Sequence, residues 1–362
     1  MYYNKGKTTK QAHVNVPEGT FEEQHGREGF FGPVSHLYHN HPPTSWTRIE
    51  GPCRPRAFDA NRIEASGTNQ VTPLLYNNDV SFSIATWTQS MDHFARNGDG
   101  DEIWFVHKGA GILETDYGPL TFSRGDYLVL PRGVTYRFDL AQDCFFVLIE
   151  TNGTPLEQPS RGIIGQYSLY DASAVRVPDP TPVTATQAEY EVRIKREGEY
   201  TSVYYPFHPL DIAGWKGDLF PWALNIADFC PIMSHRAHLP PSVHTTLVGK
   251  GFVVCSFVPR PLEETPGAMR VPFWHRNIDF DEVLFYHDGD FFSRDNISAG
   301  MITFHPVGIH HGPHPKAIEK SWAPGKTHTD EYAVMLDTRR PLKVAESAAA
   351  LEWLEYHQSW RT

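Results

Sequence analysis

Residues 274–289, WHRNIDFDEVLFYHDG, and residues 300–314, GMITFHPVGIHHGPH, decide how this chain is read. Each holds a short apolar run, VLFY or MITF, closed by a glycine or Pro-x-Gly turn, which is the pattern of paired β-strands. In the first, His275-Arg276-Asn277 is followed by four residues, Glu282, six residues and Gly289. In the second, Gly300 is followed by five residues, Pro306-Val307-Gly308, two residues and His311. Side chains on neighbouring strands of a small barrel point inward at alternate positions, so His275, Glu282 and His311 are predicted to converge on one interior point. Two imidazoles and one carboxylate suit a divalent transition metal, and with vacant positions left over they suit non-haem Fe(II). Zn and Mn are accepted by the same donors, so spacing alone leaves the metal open.

The rest of the composition sets bounds. A chain of 362 residues, 40% hydrophobic and 21% charged, can bury one large core or two. Its 29 prolines and 28 glycines mostly punctuate short apolar runs, as in β-rich folds. The net charge of −11, with no clustered Lys/Arg stripe, argues against a nucleic-acid partner. An anionic substrate would need local positive groups for its capture. No apolar run approaches the roughly 20 residues that span a bilayer, so no membrane association is expected. The N-terminal stretch has no apolar secretory core, and a cytoplasmic location is expected. Cys53, Cys144, Cys230 and Cys255 are far apart and read as buried small hydrophobes.

Along the chain, residues 1–70 are rich in Pro, Gly and His and are predicted to form an arm and loops. Residues 71–150 turn strand-like, and G-x-L-x-x-x-x-G-P-L-x-F-x-x-G-D-Y-L-V-L-P-R-G (111–133) is a run of hairpins that resembles one cupin β-sandwich. Residues 151–196 lose the pattern and read as a linker or crossover. Residues 197–362 resume it and end in AESAAALEWLEYH, predicted to be an amphipathic helix. The pairs DEIWFVHKG (101–109) with PRG and DEVLFYHDG (281–289) with PVG suggest an internal duplication. The expected fold is therefore mainly β, with two cupin-like sandwich or jelly-roll halves and a C-terminal helix. The first half lacks the upstream histidine and has Tyr136 where the second has His311, so it is expected to be metal-free and supporting.

A histidine beside an apolar strand ordinarily serves packing, and 19 are present here. What singles out His275, Glu282 and His311 is the joint agreement of residue types, two spacings and both turns. His310 and His311 cannot both face inward, because neighbours on a strand face opposite sides. The Pro-x-Gly-x-x-His spacing favours His311. His305 and His314 are then candidates for the pocket wall or for a purely structural role.

On these blocks, together with SHRAHLPPSVHTTLVGKG (234–251), the sequence resembles the homogentisate 1,2-dioxygenase family. The likeness is specific over about residues 200–320 and diffuse but consistent in order before that. It implies a cupin enzyme with one Fe(II), held by His275, Glu282 and His311. Such an enzyme opens the ring of homogentisate with O2 to give maleylacetoacetate in tyrosine and phenylalanine breakdown. His238, just before Pro-Ser-x-x-Thr, takes the place of the family's acid/base histidine; His235 and His244 read as loop or core histidines. Phe273, Phe291 and Arg294 fall where the family has two substrate-contacting tyrosines and a lysine. With His305, His311 and His314 they are the substrate-binding candidates, and the loss of two phenolic hydroxyls changes the donors that would hold the substrate. Gentisate, a hydroquinone or another 2,5-dihydroxyaryl compound stays open, as does a non-catalytic metal-binding cupin or cupin isomerase. The resemblance also implies a homo-oligomer, a trimer or hexamer.

Overall fold

The computed structural model describes residues 3–28, 32–65, 70–157, 171–270, 273–291, 293–321 and 325–361. The strand Glu102–Lys108, EIWFVHK, explains the layering. Ile103 and Phe105 on one face join a core with Val283, Phe285 and Leu336, while Trp104 and Val106 on the other join Phe138 and Phe146. A strand buried on both faces loses polar alternation, which is why these residues read as a continuous apolar run.

That strand belongs to a seven-stranded sheet, ordered Trp222–Asn225, Asp126–Leu130, Glu102–Lys108, Cys144–Thr151, Val80–Trp87, Thr72–Tyr76 and Lys343–Val344. One face packs on the six-stranded sheet of the first half, whose strands Thr135–Leu140, Gly111–Thr115 and Gly118–Phe122 supply Phe138, Leu113 and Phe122. The other face packs on the seven-stranded sheet of the second half, ordered Thr245–Gly249, Phe252–Phe257, Tyr332–Thr338, Asp281–Asp288, Met301–His305, Arg56–Asp59 and Glu352–Trp353. A buried Phe or Ile here contributes on the order of 1.5–3 kcal/mol. With Phe82, Ile84, Phe105, Val254 and Phe285 all in one cluster, the junction of the halves is core, not hinge. The fold is mostly β, two sandwich halves of cupin type sharing that central layer.

Four expectations need correction. The segment 1–70 contributes regular strands: Phe21–Gly26 pairs with Val34–His39 and runs parallel to Trp274–Asn277, and Arg56–Asp59 pairs with Met301–His305. Their apolar signal is weak because the buried residues of the first strand include Glu22, Glu23 and Gln24. Tyr190–Arg196 and Glu199–Tyr205 form one hairpin across the 196/197 boundary and extend the first-half sheet beside Phe94–Asn97. Residues 158–170 of the expected linker lie outside the described residues. The expected C-terminal helix is instead two 3-10 turns, Glu346–Leu351 and Tyr356–Gln358, separated by the strand Glu352–Trp353. Burial of Ala348 and Leu351 in one cluster, and of Tyr356 and Trp360 in another, overrides the local helix preference. Cys144 and Cys255 are buried as expected, but Cys53 and Cys230 are exposed. No helix among the described residues is long and apolar enough to cross a membrane.

Where the two seven-stranded sheets meet, His107 Nδ1 lies 2.9 Å from His287 Nδ1. One nitrogen must donate and the other accept, so at least the acceptor ring is neutral. Burial first, and then the neighbouring His287, push His107 down to about 2. Burial first, and then Arg124, push His287 down to about 4. Below about pH 6.5 the unfolded chain binds protons on these rings that the folded chain does not, so stability falls as pH drops through that window. Acidification from pH 7 to pH 5 should cost on the order of 2–4 kcal/mol from this pair. Urea unfolding of the native chain and of His107→Leu/His287→Leu should show the steeper loss in the native chain; parallel losses would dismiss the pair as the cause.

Candidate metal centre and cavity

The three predicted donors do meet. His275 lies on Trp274–Asn277, Glu282 at the start of Asp281–Asp288, and His311 just after the Pro306–Gly308 turn. One ligand atom from each lies within 4.8 Å of the other two, and all three residues are buried. A two-way backbone bridge ties two of them: His275 N–H donates to His311 O at 2.9 Å, and His311 N–H to His275 O at 3.2 Å. Gly312 allows this approach, since a Cβ there would sit 2.9 Å from Trp274 Cα.

The ring orientations are fixed from behind. His275 Nδ1 donates to Phe273 O at 2.9 Å, which turns Nε2 toward Glu282 Oε2, 3.6 Å away. His311 Nε2 lies 3.5 Å from the same oxygen and, though buried, has no hydrogen-bond partner among the described residues. A buried nitrogen aimed at a carboxylate beyond hydrogen-bond reach fits a site built for an ion between them. Glu282 Oε1 is taken by His305 Nδ1 at 2.8 Å, and His305 Nε2 lies 3.2 Å from the Tyr356 hydroxyl. A carboxylate only accepts, so His305 carries its proton on Nδ1 and receives the Tyr356 O–H at Nε2. Burial alone would push Glu282 up, but His311 and contacts from His275 and His305 hold it well below the usual carboxylate range. Burial, opposed by the hydrogen bond that Glu282 accepts, pushes His305 down to about 3. Burial first, and then His275, push His311 below its usual range, so an anionic Glu282 faces the His311 ring in the form that a metal requires.

A cavity opens beside His275 and Glu282. Phe257, Phe273, Leu284 and Met335 give it apolar walls, and His238, Arg260, Arg294 and Glu331 bring polar groups to it. His238 Nδ1 lies 2.9 Å from Glu263 Oε1. Arg294 is buried, and Nη1 donates to Gly312 O at 2.9 Å. His244 also lines the cavity, beside Phe257, and burial first, then Arg260, hold it well below its usual range.

The remaining candidates lie elsewhere. Phe291 packs edge-on against Tyr286, with ring centroids 4.7 Å apart, and does not line the cavity. His305 stands behind Glu282, and His314 accepts from Asp295 N at 2.9 Å and packs on Trp360. Neither reaches the cavity wall. His310 faces away from His311, with Nδ1 2.7 Å from Glu23 Oε1. Sequence reading missed Arg260, Glu331, Glu263 and Tyr356. Arg260 Nη2 and Glu331 Oε1 pair at 3.2 Å from two loops far apart in the sequence, which no local spacing could reveal.

In the first half, Glu102 occupies the place of Glu282 in the repeated DE pair, and Tyr136 that of His311. Glu102 Oε1 accepts from Asn97 at 2.9 Å and Oε2 from Trp104 at 3.1 Å. Burial, then Glu150, push it up to about 7.

Fold and site together define a two-half cupin with a two-histidine, one-carboxylate face. The chain belongs to the homogentisate 1,2-dioxygenase family: its N-terminal family profile matches residues 54–226 and its C-terminal profile residues 228–362. It is thereby a dioxygenase of the homogentisate dioxygenase type, in a metal-dependent family. A Saccharolobus solfataricus protein described provisionally as a dioxygenase is 33% identical, over 100% of this chain and 99% of that one. A homogentisate 1,2-dioxygenase of Rhodopseudomonas palustris is 28% identical over 76% of this chain, a match spanning 64% of its own length. Among solved structures, a cupin 2 conserved barrel domain protein from Leptotrichia buccalis aligns with a TM-score of 0.35 at 10% identity, over 78% of this chain and 96% of that one.

His305 should act through Glu282. His305→Phe is expected to weaken metal binding by about 10–100-fold, as losses behind a ligand typically do. Chelator competition measures this; unchanged affinity would leave His305 a packing residue.

Proposed function

We propose that the chain is an Fe(II)-dependent ring-cleaving dioxygenase acting on homogentisate or a close 2,5-dihydroxyaryl acid, with maleylacetoacetate the product from homogentisate. The supporting observation is the triad His275, Glu282 and His311 beside a cavity that is apolar in its walls and holds two arginines. Bound by this triad, Fe(II) would supply open positions for substrate oxygen and for O2, and would lower the pKa of a bound phenol.

The chain's own residues do the rest. Leu284, Phe257 and Phe273 exclude water and pack an aromatic ring. Glu263 accepts the Nδ1 proton of His238, which leaves Nε2 as the basic nitrogen for the second hydroxyl's proton. Arg294 and Arg260 offer cationic donors to a substrate carboxylate. Arg294 is the better placed, because Glu331 already pairs with Arg260. A second reading, gentisate or another 2,5-dihydroxyaryl acid, is favoured by Phe273, which brings no hydroxyl to a wall where the family resemblance implies one.

Glu282→Ala should abolish diphenol-dependent O2 uptake and leave the anaerobically reconstituted chain one metal equivalent short of the unaltered one. Full metal content in that variant would end the ligand assignment. Homogentisate, gentisate and hydroquinone should differ in kcat/KM, with the better acid ahead of hydroquinone by about 10–100-fold, the value of one charge-assisted contact. Equal values would remove the carboxylate role of the arginines, and O2 uptake with none of the three would favour a non-catalytic or isomerase cupin.

A further inference from the structure

The buried polar face of the N-terminal strands holds a second donor cluster that the proposed reaction does not use. Glu22 lies on Phe21–Gly26 and is buried. His36 lies on the neighbouring strand Val34–His39, in the register Gln24↔His36 and Glu22↔Tyr38, so it is the diagonal same-face neighbour of Glu22. His13 comes from the preceding turn and is only 6% exposed. Its backbone is held on both sides: His13 N–H donates to Glu22 Oε2 at 2.8 Å, and His13 O accepts from Met269 N at 2.9 Å.

The side-chain nitrogens are what need explaining. His13 Nδ1 lies 3.4 Å from Glu22 Oε2, and His36 Nδ1 lies 3.2 Å from Glu22 Oε1. Both nitrogens are shut off from solvent, and neither has a hydrogen-bond partner among the described residues. Buried imidazole nitrogens normally find a partner. Donors about 2.0–2.1 Å from a tetrahedral ion stand about 3.3–3.4 Å apart, close to the separation of each imidazole nitrogen from the Glu22 oxygen it faces. One ligand atom from each of the three residues lies within 4.8 Å of the others. The Tyr38 hydroxyl steadies the carboxylate by donating to Glu22 Oε1 at 3.1 Å. The His36 side chain keeps 19% of its surface exposed, so ion entry and a water ligand are both open on that side.

We propose that His13, Glu22 and His36 form a second, structural metal site for Zn2+ or another divalent ion that accepts tetrahedral coordination, fastening the N-terminal segment to the cavity wall. The link to the wall is direct. The His13 ring stacks on Phe273 at 4.1 Å and 9°, and the other edge of Phe273 faces His275. Two nitrogens and one carboxylate oxygen suit zinc, with water completing the set. The ion's work here is to join a turn, two strands and the Phe273 wall.

The test uses the full chain carrying Glu282→Ala, so that the first triad no longer reports. Titration with Co2+ should show one bound equivalent with the intense visible absorption of a four-coordinate ion, and Zn2+ should displace it and raise Tm. Adding His36→Ala, or Glu22→Gln where the first variant does not fold, should remove the bound equivalent, its spectrum and the Zn2+ rise in Tm. No bound equivalent in the Glu282→Ala chain would overturn the site, as would an unchanged equivalent and spectrum after His36→Ala or Glu22→Gln. Because the readouts are stoichiometry, spectrum and Tm, they stand whatever substrate the enzyme takes.

Discussion

A carboxylate buried in a protein interior must be paired, or it takes up a proton, and the second half of this fold is organised around keeping Glu282 ionised. His305 donates to one oxygen, and His275 and His311 face the other. The cross-strand neighbour makes the same point in reverse. Asp337 pairs in register with Glu282 and is pushed well above its ordinary range, first by burial and then by Glu282 itself. Of two adjacent buried carboxyls, one is held as the anion and its neighbour as the neutral acid. Of the pair, Glu282 is the carboxyl whose charge a cation could balance.

The halves show how one scaffold supports two outcomes. Glu102 and Glu282 sit at equivalent places in their strands, yet Glu102 is raised to about 7 while Glu282 is held low. The difference lies in what faces them. Asn97 and Trp104 give Glu102 neutral donors, Glu150 stands near, and Tyr136 replaces the imidazole that serves Glu282. The halves are joined through a sheet buried on both faces, so the first half supports the second by direct packing. Terminal strands extend that joint: Arg56–Asp59 enters the second-half sheet, and Lys343–Val344 enters the shared central sheet beside Thr72–Tyr76.

The parts legible in the sequence are those governed by short-range periodicity. The runs EIWFVHK and DEVLFYHD were readable because both become central strands, and the triad because turn spacing fixes which residues share a face. The N-terminal strands were hidden because Glu22, Glu23 and Gln24 are buried polar groups, and burial of polar groups leaves no apolar period. The C-terminal segment has helix-forming composition, but Tyr356 is needed behind His305, and tertiary burial decided its backbone. Phe273 and Phe291 were both placed at the substrate by ungapped spacing, and only Phe273 reaches the cavity. It stands two residues before His275 in extended chain and so shares its side. Phe291 follows Gly289, whose φ of 88° turns the chain and breaks the strand parity on which the spacing relied.

Phe273 is where these strands of argument meet. Its carbonyl accepts the Nδ1 proton of His275, its ring lines the cavity, and its far face lies against His13. Ligand orientation, cavity shape and the N-terminal segment therefore share one residue, and a shift in any of them must be absorbed by the others. The parallel pairing of Phe21–Gly26 with Trp274–Asn277 carries the same coupling along the backbone, since Gln24 registers with His275 and Glu23 with Trp274. Close packing leaves little slack in such an arrangement. The segment that looks in sequence like a loose arm is thus a structural wall of the metal centre, and the geometry of His275 depends on how firmly that wall is held.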